Sequence, residues 1–315
     1  MEKNRILSDS SSRIPLLSVV VITVYDTTHL SRCLTALMNQ VVSPDMEIIV
    51  VYHEKVNDIS RLKEKFPAVQ FYCARGKQTQ DKMLALGIQH SRGKVVALTV
   101  DHCTPEEHWC ANIIKAHTAP YAALGGALEF GAQPGTVVNW AVHFYDYCSY
   151  GYYQNPVRRG PACELSDCNV SYKREILDRM ANHWANGFHV PLMNRLLLAY
   201  GEKLWFSPEL LVYQHRDIDF LDAARIAFRR GQVFASARLS KFTIGQRVFQ
   251  LFLSPLLPVK LLGKLLLNVL SKKSHLDAFI RAFPFIVLFL TLWSAGEFVG
   301  FLARKHDDAI LVTQE

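Results

Sequence analysis

A short β-branched apolar run near the start of the chain constrains the fold more than any other segment. This run covers residues 17–24 and ends at Tyr25-Asp26, and a segment with one apolar helical face follows at residues 29–40. A second apolar run covers residues 47–51. Strand, helix and strand within about 35 residues predict a βαβ unit and hence a parallel sheet. Because ligands bind beyond the carboxyl ends of such strands, Tyr25-Asp26 marks a candidate site.

Two further strand–helix pairs continue this pattern. Residues 69–73 and 94–100 are apolar runs of strand length, whereas residues 79–90 and 106–117 have apolar positions at helical spacing. We therefore expect an α/β domain whose open, mostly parallel sheet is flanked by helices on both faces.

The charge pattern bears on the partners of the chain. The net charge of the 315 residues is +7, and no basic run is interleaved with aromatic residues. Nucleic acid is therefore not an expected partner. Basic pairs, Arg229-Arg230 and Lys272-Lys273, instead approach or flank the apolar last third of the chain. This pattern favours an anionic membrane surface.

The seven cysteines form no recognisable framework. There is no C-x-x-C pair, and the pairs Cys103/Cys110 and Cys163/Cys168 have the wrong spacing for a zinc site. We expect reduced and mostly buried thiols.

Asp101 and His102 stand together directly after the apolar run 94–100. Divalent cations bound to phosphate take carboxylate oxygens, and a neutral imidazole suits Mn²⁺. A diphosphate leaving group needs such a cation, or fixed Lys or Arg donors, to take up negative charge. An equally open interpretation is that Asp101 caps a helix that begins near Pro105.

Several short motifs follow one another along roughly 200 residues of the chain, and their order is informative although each motif is weak alone. The motifs are Thr23-Val-Tyr-Asp26, Cys33-Leu-Thr-Ala-Leu37 with Gln40, Glu47-Ile-Ile-Val-Val51, Leu98-Thr-Val-Asp-His-Cys-Thr-Pro105 with Trp109, Gly125-Gly-Ala-Leu-Glu129, Asn169-Val-Ser-Tyr-Lys-Arg174 and Val212-Tyr-Gln-His215. Over these segments the chain resembles a membrane-associated, inverting nucleotide-sugar glycosyltransferase of family 2 with the GT-A fold. Its Asp-x-Asp motif is divergent and reads Val-Asp-His-Cys.

The resemblance implies a nucleotide-diphosphate sugar as donor and Mg²⁺ or Mn²⁺ as cofactor. The donor-binding residues that it implies are Thr23, Tyr25, Asp26, Glu54, Lys82 and Asp101. The metal ligands that it implies are Asp101, His102 and His215. In the family reaction a base deprotonates an acceptor hydroxyl, which attacks the anomeric carbon in line while the metal-bound nucleoside diphosphate leaves.

The chain departs from the family pattern at two functional positions. The family has an aspartate after the second strand, where this chain reads Tyr52-His53-Glu54, so that only Glu54 can replace it. The family's acidic base is absent from the helix head that here contains Ala185, Asn186 and His189. The candidate bases are His189, whose unperturbed pKa is near 6.5, and Asp167, beside the acceptor-side segment.

The last third of the chain is apolar enough to interact with a membrane. Residues 249–270 include Lys260 and Lys264, four apart, which is typical of a helix that lies in the interface. Residues 284–302 carry a single charge and approach the roughly 20 residues that a span needs. We expect a glycosyltransferase domain over residues 15–235 and membrane-associated helices over residues 236–305. A helix buried in a soluble dimer is the alternative.

These expectations define one preferred function and two alternatives. The preferred function is inverting transfer of a sugar to a lipid-linked or polysaccharide acceptor at the cytoplasmic face of the inner membrane. Membrane docking suits such an acceptor because it confines both partners to one surface. The chain acts as a homo-oligomer or with other glycan-assembly proteins in this scheme. The first alternative is a catalytically weakened subunit that binds nucleotide sugar or scaffolds polysaccharide assembly, and the second is a membrane-associated nucleotidyltransferase.

Overall fold

The computed structural model groups the chain into two compact units. The described residues are 14–23, 27–41, 45–76, 78–131, 135–146, 155–215, 217–239, 245–246, 249 and 256–302. The first unit comprises Met1–Gly126 and Arg158–Val212, and the second comprises Ala127–Val157 and Tyr213–Glu315. This grouping differs from the boundary expected at residue 235, because the described residues 137–146 pack with the C-terminal helices. The sequence-based division at that residue stays a prediction.

Strands and helices alternate along most of the chain. The strands are β1 (Leu17–Thr23), β2 (Met46–His53), β3 (Gln70–Ala74), β4 (Val95–Val100), β5 (Cys103–Pro105), β6 (Ala123–Phe130), β7 (Gly160–Pro161), β8 (Val170–Lys173) and β9 (Leu204–Gln214). The helices are α1 (Thr27–Met38), α2 (Ile59–Lys65), α3 (Gln80–His90), α4 (Trp109–Ala116), α5 (Val137–Asp146), α6 (Arg174–Arg179), α7 (Ala181–Trp184), α8 (Val190–Ala199), α9 (Phe220–Leu239), α10 (Leu257–Lys272) and α11 (Leu276–Leu302).

The strands form one sheet whose order is β3-β2-β1-β4-β8-β6-β9-β5, with β7 paired to β9. The pairs among β3, β2, β1 and β4 are parallel. The pairs β4–β8, β6–β8 and β7–β9 are antiparallel. The α/β class is therefore confirmed, and the parallel part of the sheet is the part that the apolar runs predicted.

Burial explains why the first strands are apolar throughout rather than alternating. Every residue of β1 and of β4 is buried. Val20 of β1 lies opposite Leu98 of β4, and neither is exposed to solvent. Strands that are covered on both faces need apolar side chains at odd and even positions alike. Each such Val or Leu side chain contributes roughly 1.5–3 kcal/mol relative to an exposed one.

The helix that was expected over residues 106–117 begins only at Trp109, so its predicted start is wrong. The preceding residues Cys103–Pro105 form the short strand β5 at the edge of the sheet. The backbone N–H of Glu106 still donates to the carbonyl of Leu211, 3.0 Å away, so the chain leaves the sheet later than the sequence suggested.

The core of the second unit consists of α5, α9, α10 and α11. Its cluster of buried residues includes Trp140, Phe144, Ala227, Leu265 and Phe289. α9 and α11 approach closely through a reciprocal pair of glycines. A Cβ on Gly231 would lie 1.9 Å from the carbonyl oxygen of Trp293, and a Cβ on Gly296 would lie 1.9 Å from that of Phe228. A side chain at either position would force the two helices apart.

α10 and α11 keep large apolar side chains on their outer surfaces. Val259 and Leu267 of α10 and Ile280 of α11 are each 71% exposed. The 27 residues of α11 are long and apolar enough to cross a bilayer by length and composition. Because 44% of its most apolar window is buried within the protein, α11 also has the character of a core helix.

Candidate functional site

The carboxyl ends of β1 and β4 form the centre of the candidate site. Ile22 lies opposite Val100 in the parallel register, so Thr23 and Asp101 are the next residues on the two strands. The backbone N–H of Asp101 donates to the carbonyl of Ile22 at 3.1 Å, and Thr23 Oγ1 donates to Asp101 Oδ2. The strand order reverses between β1 and β4. Ligands of open α/β sheets bind in the crevice at such a reversal.

Asp101 also fixes the ring of His102. Asp101 Oδ1 accepts hydrogen bonds from the backbone N–H of His102 at 2.8 Å and from His102 Nδ1 at 3.1 Å. When Nδ1 donates, the lone pair of the neutral ring lies on Nε2, where a metal ion binds. Both side chains remain partly accessible, with 14% of Asp101 and 16% of His102 exposed. A carboxylate and an oriented imidazole therefore fit Mg²⁺ or Mn²⁺ in their donor chemistry.

The alternative interpretation of Asp101 as a helix cap is wrong. α4 has His108 at its N-cap position, seven residues after Asp101, and begins at Trp109. Among the described residues, the Asp101 carboxylate bonds to Thr23 and His102 instead.

Glu54 lies at the end of β2 and contacts the loop that follows β3. Its Oε1 accepts a hydrogen bond from the backbone N–H of Gly76 at 3.0 Å. Beside it, His53 Nδ1 accepts from the backbone N–H of Lys55, so that Nε2 donates to the carbonyl of Gly76. The exposed Glu54 carboxylate therefore stabilises this loop at the carboxyl edge of the sheet.

Lys82 is exposed in the first turn of α3. Its backbone N–H donates to Thr79 Oγ1 at 3.3 Å, which makes Thr79 the N-cap of the helix. The N-terminus of a helix and a lysine both favour negative charge, so this turn suits a phosphate group.

Asp167 and His189 both lie within range of an electrostatic interaction with a third residue, Asp81, which the sequence reasoning missed. The carbonyl of Asp81 accepts from the backbone N–H of Phe188 at 2.7 Å, which places Asp81 beside the start of α8. The pKa of the Asp81 carboxyl is raised, first by burial and further by the charge of Asp167, while the charge of His189 acts in the opposite direction. Two carboxylates that share a site in this way are a frequent arrangement for acid–base chemistry.

His189 has a structural task in this group. It is the N-cap of α8, and its Nδ1 accepts from the backbone N–H of Leu192 at 3.1 Å. In this arrangement the neutral ring carries its proton on Nε2, so the ring has no second lone pair for a substrate proton. A carboxylate of the same cluster is the better candidate base.

Three further residues were predicted for the site, namely Tyr25, Asp26 and His215. Tyr25 and Asp26 fall outside the described residues. His215 belongs to the second unit, where it lies against Gly131: a Cβ there would be 2.6 Å from His215 Cε1. Its part in the metal site stays a prediction.

Two residues of the acceptor-side motif, Asn169 and Arg174, make hydrogen bonds that stabilise the fold. Asn169 is buried, accepts from Trp109 Nε1 at 3.0 Å and donates to the carbonyl of Leu210 at 2.7 Å. Arg174 donates to the carbonyls of Gly93 and Ser91. These residues tie β8 to neighbouring elements of the first unit.

Comparisons with known proteins agree with this fold. A family model described as "Glycosyl transferase family 2" matches residues 18–181, which is more than half of the chain. No curated protein sequence matches the chain. Among solved structures, the chain is similar to the mannosyltransferase PcManGT from Pyrobaculum calidifontis in complex with GDP-Man and Mn²⁺, with a TM-score of 0.55 and 14% identity. The similarity covers 94% of this chain and 89% of that one.

Proposed function

The chain belongs to glycosyl transferase family 2, and from this premise we propose that it transfers a sugar from a nucleoside diphosphate to a lipid-linked or polysaccharide acceptor at the cytoplasmic face of the inner membrane, with inversion. The observation that carries the proposal is the group Thr23, Asp101 and His102 at the point where the strand order reverses. This is where an α/β sheet of this order binds a nucleotide.

Asp101 and His102 are the proposed ligands of Mn²⁺ or Mg²⁺. These residues would hold a divalent cation whose charge would offset that of the diphosphate leaving group. The manganese in the structure of the mannosyltransferase from Pyrobaculum calidifontis supports this choice of metal. Lys82 at the head of α3 adds positive charge for the phosphates, and Thr23, Tyr25, Asp26 and Glu54 hold the nucleoside.

The pair Asp81 and Asp167 supplies the base in this proposal. The raised pKa of Asp81 strengthens its ionised carboxylate as a proton acceptor. The acceptor hydroxyl gives its proton to that carboxylate, and its oxygen forms a bond to the anomeric carbon. The bond from that carbon to the diphosphate breaks in the same displacement, so the configuration inverts. General-base help of this kind contributes typically 10²–10⁴-fold in rate.

The outer surfaces of α10 and α11 are the proposed membrane contact. Val259 and Leu267 are exposed on α10, and Lys260 and Lys264 are exposed on the same helix. Apolar side chains beside lysines are typical of a helix in the interface of an anionic membrane. The membrane then holds the enzyme next to a lipid-linked acceptor.

A donor screen tests the proposal. The purified full-length chain is heated with each of a panel of uridine and guanosine diphosphate sugars, with Mn²⁺ or with a chelator. A donor at 100 times its Kd adds about 2.7 kcal/mol to the free energy of unfolding. We expect one donor class to raise the Tm with Mn²⁺ and the chelator to abolish the rise. No stabilisation by any donor would contradict the proposal.

A further inference from the structure

A second group of potential metal ligands adjoins the candidate site in the first unit. A ring nitrogen of His102, Cys103 Sγ and Cys168 Sγ all lie within 4.8 Å of one another. Cys103 is the first residue of β5 and is fully buried, and Cys168 precedes β8. The Cys168 thiol interacts by hydrogen bonding with both the Cys103 thiol and His102. This pair could not be recognised from the sequence, because 64 residues of chain separate the two cysteines.

From this geometry we propose that His102, Cys103 and Cys168 form a site for Zn²⁺. Thiolates and a neutral imidazole are the donors that zinc prefers, with Zn–S near 2.3 Å and Zn–N near 2.0–2.1 Å. Tetrahedral angles then place neighbouring ligand atoms roughly 3.5–4 Å apart, so separations of up to 4.8 Å need to close by no more than about 1.3 Å. The two thiols release their protons to solvent as the sulfur atoms bind, and a water molecule fills the fourth position.

The backbone around these ligands is anchored on several sides. Thr99 Oγ1 donates to the carbonyl of Cys168 at 3.0 Å, which ties the cysteine to β4. Asp101 Oδ1 lies 3.1 Å from His102 Nδ1. A carboxylate that orients a ligating histidine in this way is a recurring feature of zinc sites. The three ligands are therefore held in place before a metal arrives.

The site has a consequence for catalysis that rests on the proposed function. His102 is also a proposed ligand of the catalytic Mn²⁺ or Mg²⁺, and its one available lone pair cannot serve two metals. Zinc bound by the thiols therefore withdraws His102 from the catalytic metal. We expect zinc to inhibit sugar transfer and Mn²⁺ to compete with it.

Cobalt substitution tests the site without any need for turnover. Co²⁺ is added to the reduced, metal-free, full-length chain, and the thiolate-to-cobalt charge-transfer absorption is recorded. We expect a saturable band at one equivalent that Zn²⁺ abolishes. Cys103→Ser and Cys168→Ser should each lose most of the band. Cys110→Ser, which removes a buried thiol outside the group, is the matched control and should retain it.

Several results would overturn the zinc site. One is a wild-type chain without the band, and another is a band that survives in both serine variants. A disulfide between Cys103 and Cys168 that persists under reducing conditions would also exclude it. Circular dichroism of each variant shows whether a lost band reflects a lost fold, and the second serine variant then decides.

A zinc titration of sugar transfer tests the consequence separately. Each variant is compared with itself with and without zinc, at fixed Mn²⁺. We expect at least tenfold weaker inhibition in Cys168→Ser than in Cys110→Ser. Equal inhibition in the two variants would contradict the shared use of His102. A chain that shows the cobalt band but no transfer with any donor would count against the proposed function and leave the zinc site supported.

Discussion

Thr23 Oγ1 donates a hydrogen bond to Asp101 Oδ2, and this bond joins the carboxyl ends of the neighbouring parallel strands β1 and β4. Thr23 is buried, with 1% of its surface exposed, so the bond is shielded from water. The carboxylate of Asp101 in turn fixes His102. The buried hydroxyl of Thr23 therefore orients the Asp101 carboxylate. That carboxylate in turn orients the imidazole of His102, which is a proposed metal ligand.

Replacement of this hydroxyl should lower turnover without unfolding the chain. A hydrogen bond to a charged group contributes about 1.5–3 kcal/mol, so Thr23→Val should reduce kcat/KM by roughly tenfold or more. Thr23→Ser keeps the donor and should retain most of the activity. Steady-state transfer assays measure both variants. Equal losses in the two variants would contradict a specific role for the hydroxyl.

The cluster of Asp81, Asp167 and His189 predicts pH shifts of opposite sign. The charge of Asp167 raises the pKa of Asp81, and the charge of His189 lowers it. If ionised Asp81 is the base, Asp167→Asn should move the acidic limb of the rate profile to lower pH. His189→Asn, which preserves an N-cap residue, should move that limb to higher pH. Asp81→Asn should reduce kcat by 10²-fold or more at every pH.

The pH profile of kcat/KM for the free enzyme measures these shifts. Asp178→Asn, an exposed aspartate on α6, is the matched control and should leave the profile unchanged. Shifts of the same sign in the Asp167 and His189 variants would rule out Asp81 as the titrating base. If only Asp167→Asn abolishes turnover, the base is Asp167.

The ion pair of Glu129 and His275 predicts how the stability of the second unit depends on pH. His275 Nε2 lies 2.8 Å from Glu129 Oε1. The hydrogen bond to Glu129 raises the pKa of His275 above 6.5. Burial alone would raise the pKa of Glu129, but hydrogen bonds from His275, Asn155 and the Phe130 N–H outweigh burial and lower it below 4.5.

The directions of these two pKa shifts determine how each residue's contribution to stability changes with pH. His275 stabilises the fold below pH 6.5, and its contribution is lost as the pH rises through the raised folded-state pKa. Glu129 contributes above pH 4.5, and its contribution is lost as the pH falls through the lowered pKa. His275→Gln should therefore lower the Tm more at about pH 6 than at about pH 9. His183→Gln, at an exposed histidine, is the control. A pH-independent loss would contradict a charged pair.

Membrane binding should depend on the two lysines of α10. A lysine near an anionic surface contributes about 1 kcal/mol, so the double variant Lys260→Gln with Lys264→Gln should bind anionic vesicles about 30-fold more weakly. Vesicle flotation at several lipid concentrations measures this change. The control Lys55→Gln with Lys203→Gln removes the same charge from exposed positions of the first unit. Equal weakening by both pairs would point to net charge rather than to α10.

The parallel strands were predictable because their signal is local. Both faces of β1, β2 and β4 are buried or nearly so, and a continuous apolar run of strand length records this directly in the sequence. The position of Asp101 after such a run was enough to place it at the carboxyl edge of the sheet.

The carboxylate cluster could not be predicted, because its signal is not local. Asp81 and Asp167 are 86 positions apart in the numbering, and only the folded chain brings them together. In the sequence Asp81 lies in the first turn after the N-cap Thr79, where an aspartate commonly interacts favourably with the helix dipole, so it did not indicate a catalytic role. The cap formed by His189 was likewise hidden, since histidine is not among the preferred capping residues.

The start of α4 was mispredicted for a related reason. Pro105 is a favoured residue for a first helical turn, yet it ends β5 in the structure. Pairing at the edge of the sheet, through the hydrogen bond from Glu106 to Leu211, overrides the local preference.

Turnover of the stabilising donor by the wild-type chain and by Asp101→Asn tests the central claim most directly. Release of the nucleoside diphosphate is measured with Mn²⁺ present, and Asp178→Asn serves as the control for loss of an exposed carboxylate. The account predicts turnover in the wild type and the control, and a loss of 10²-fold or more in Asp101→Asn. Undiminished turnover in Asp101→Asn would contradict it.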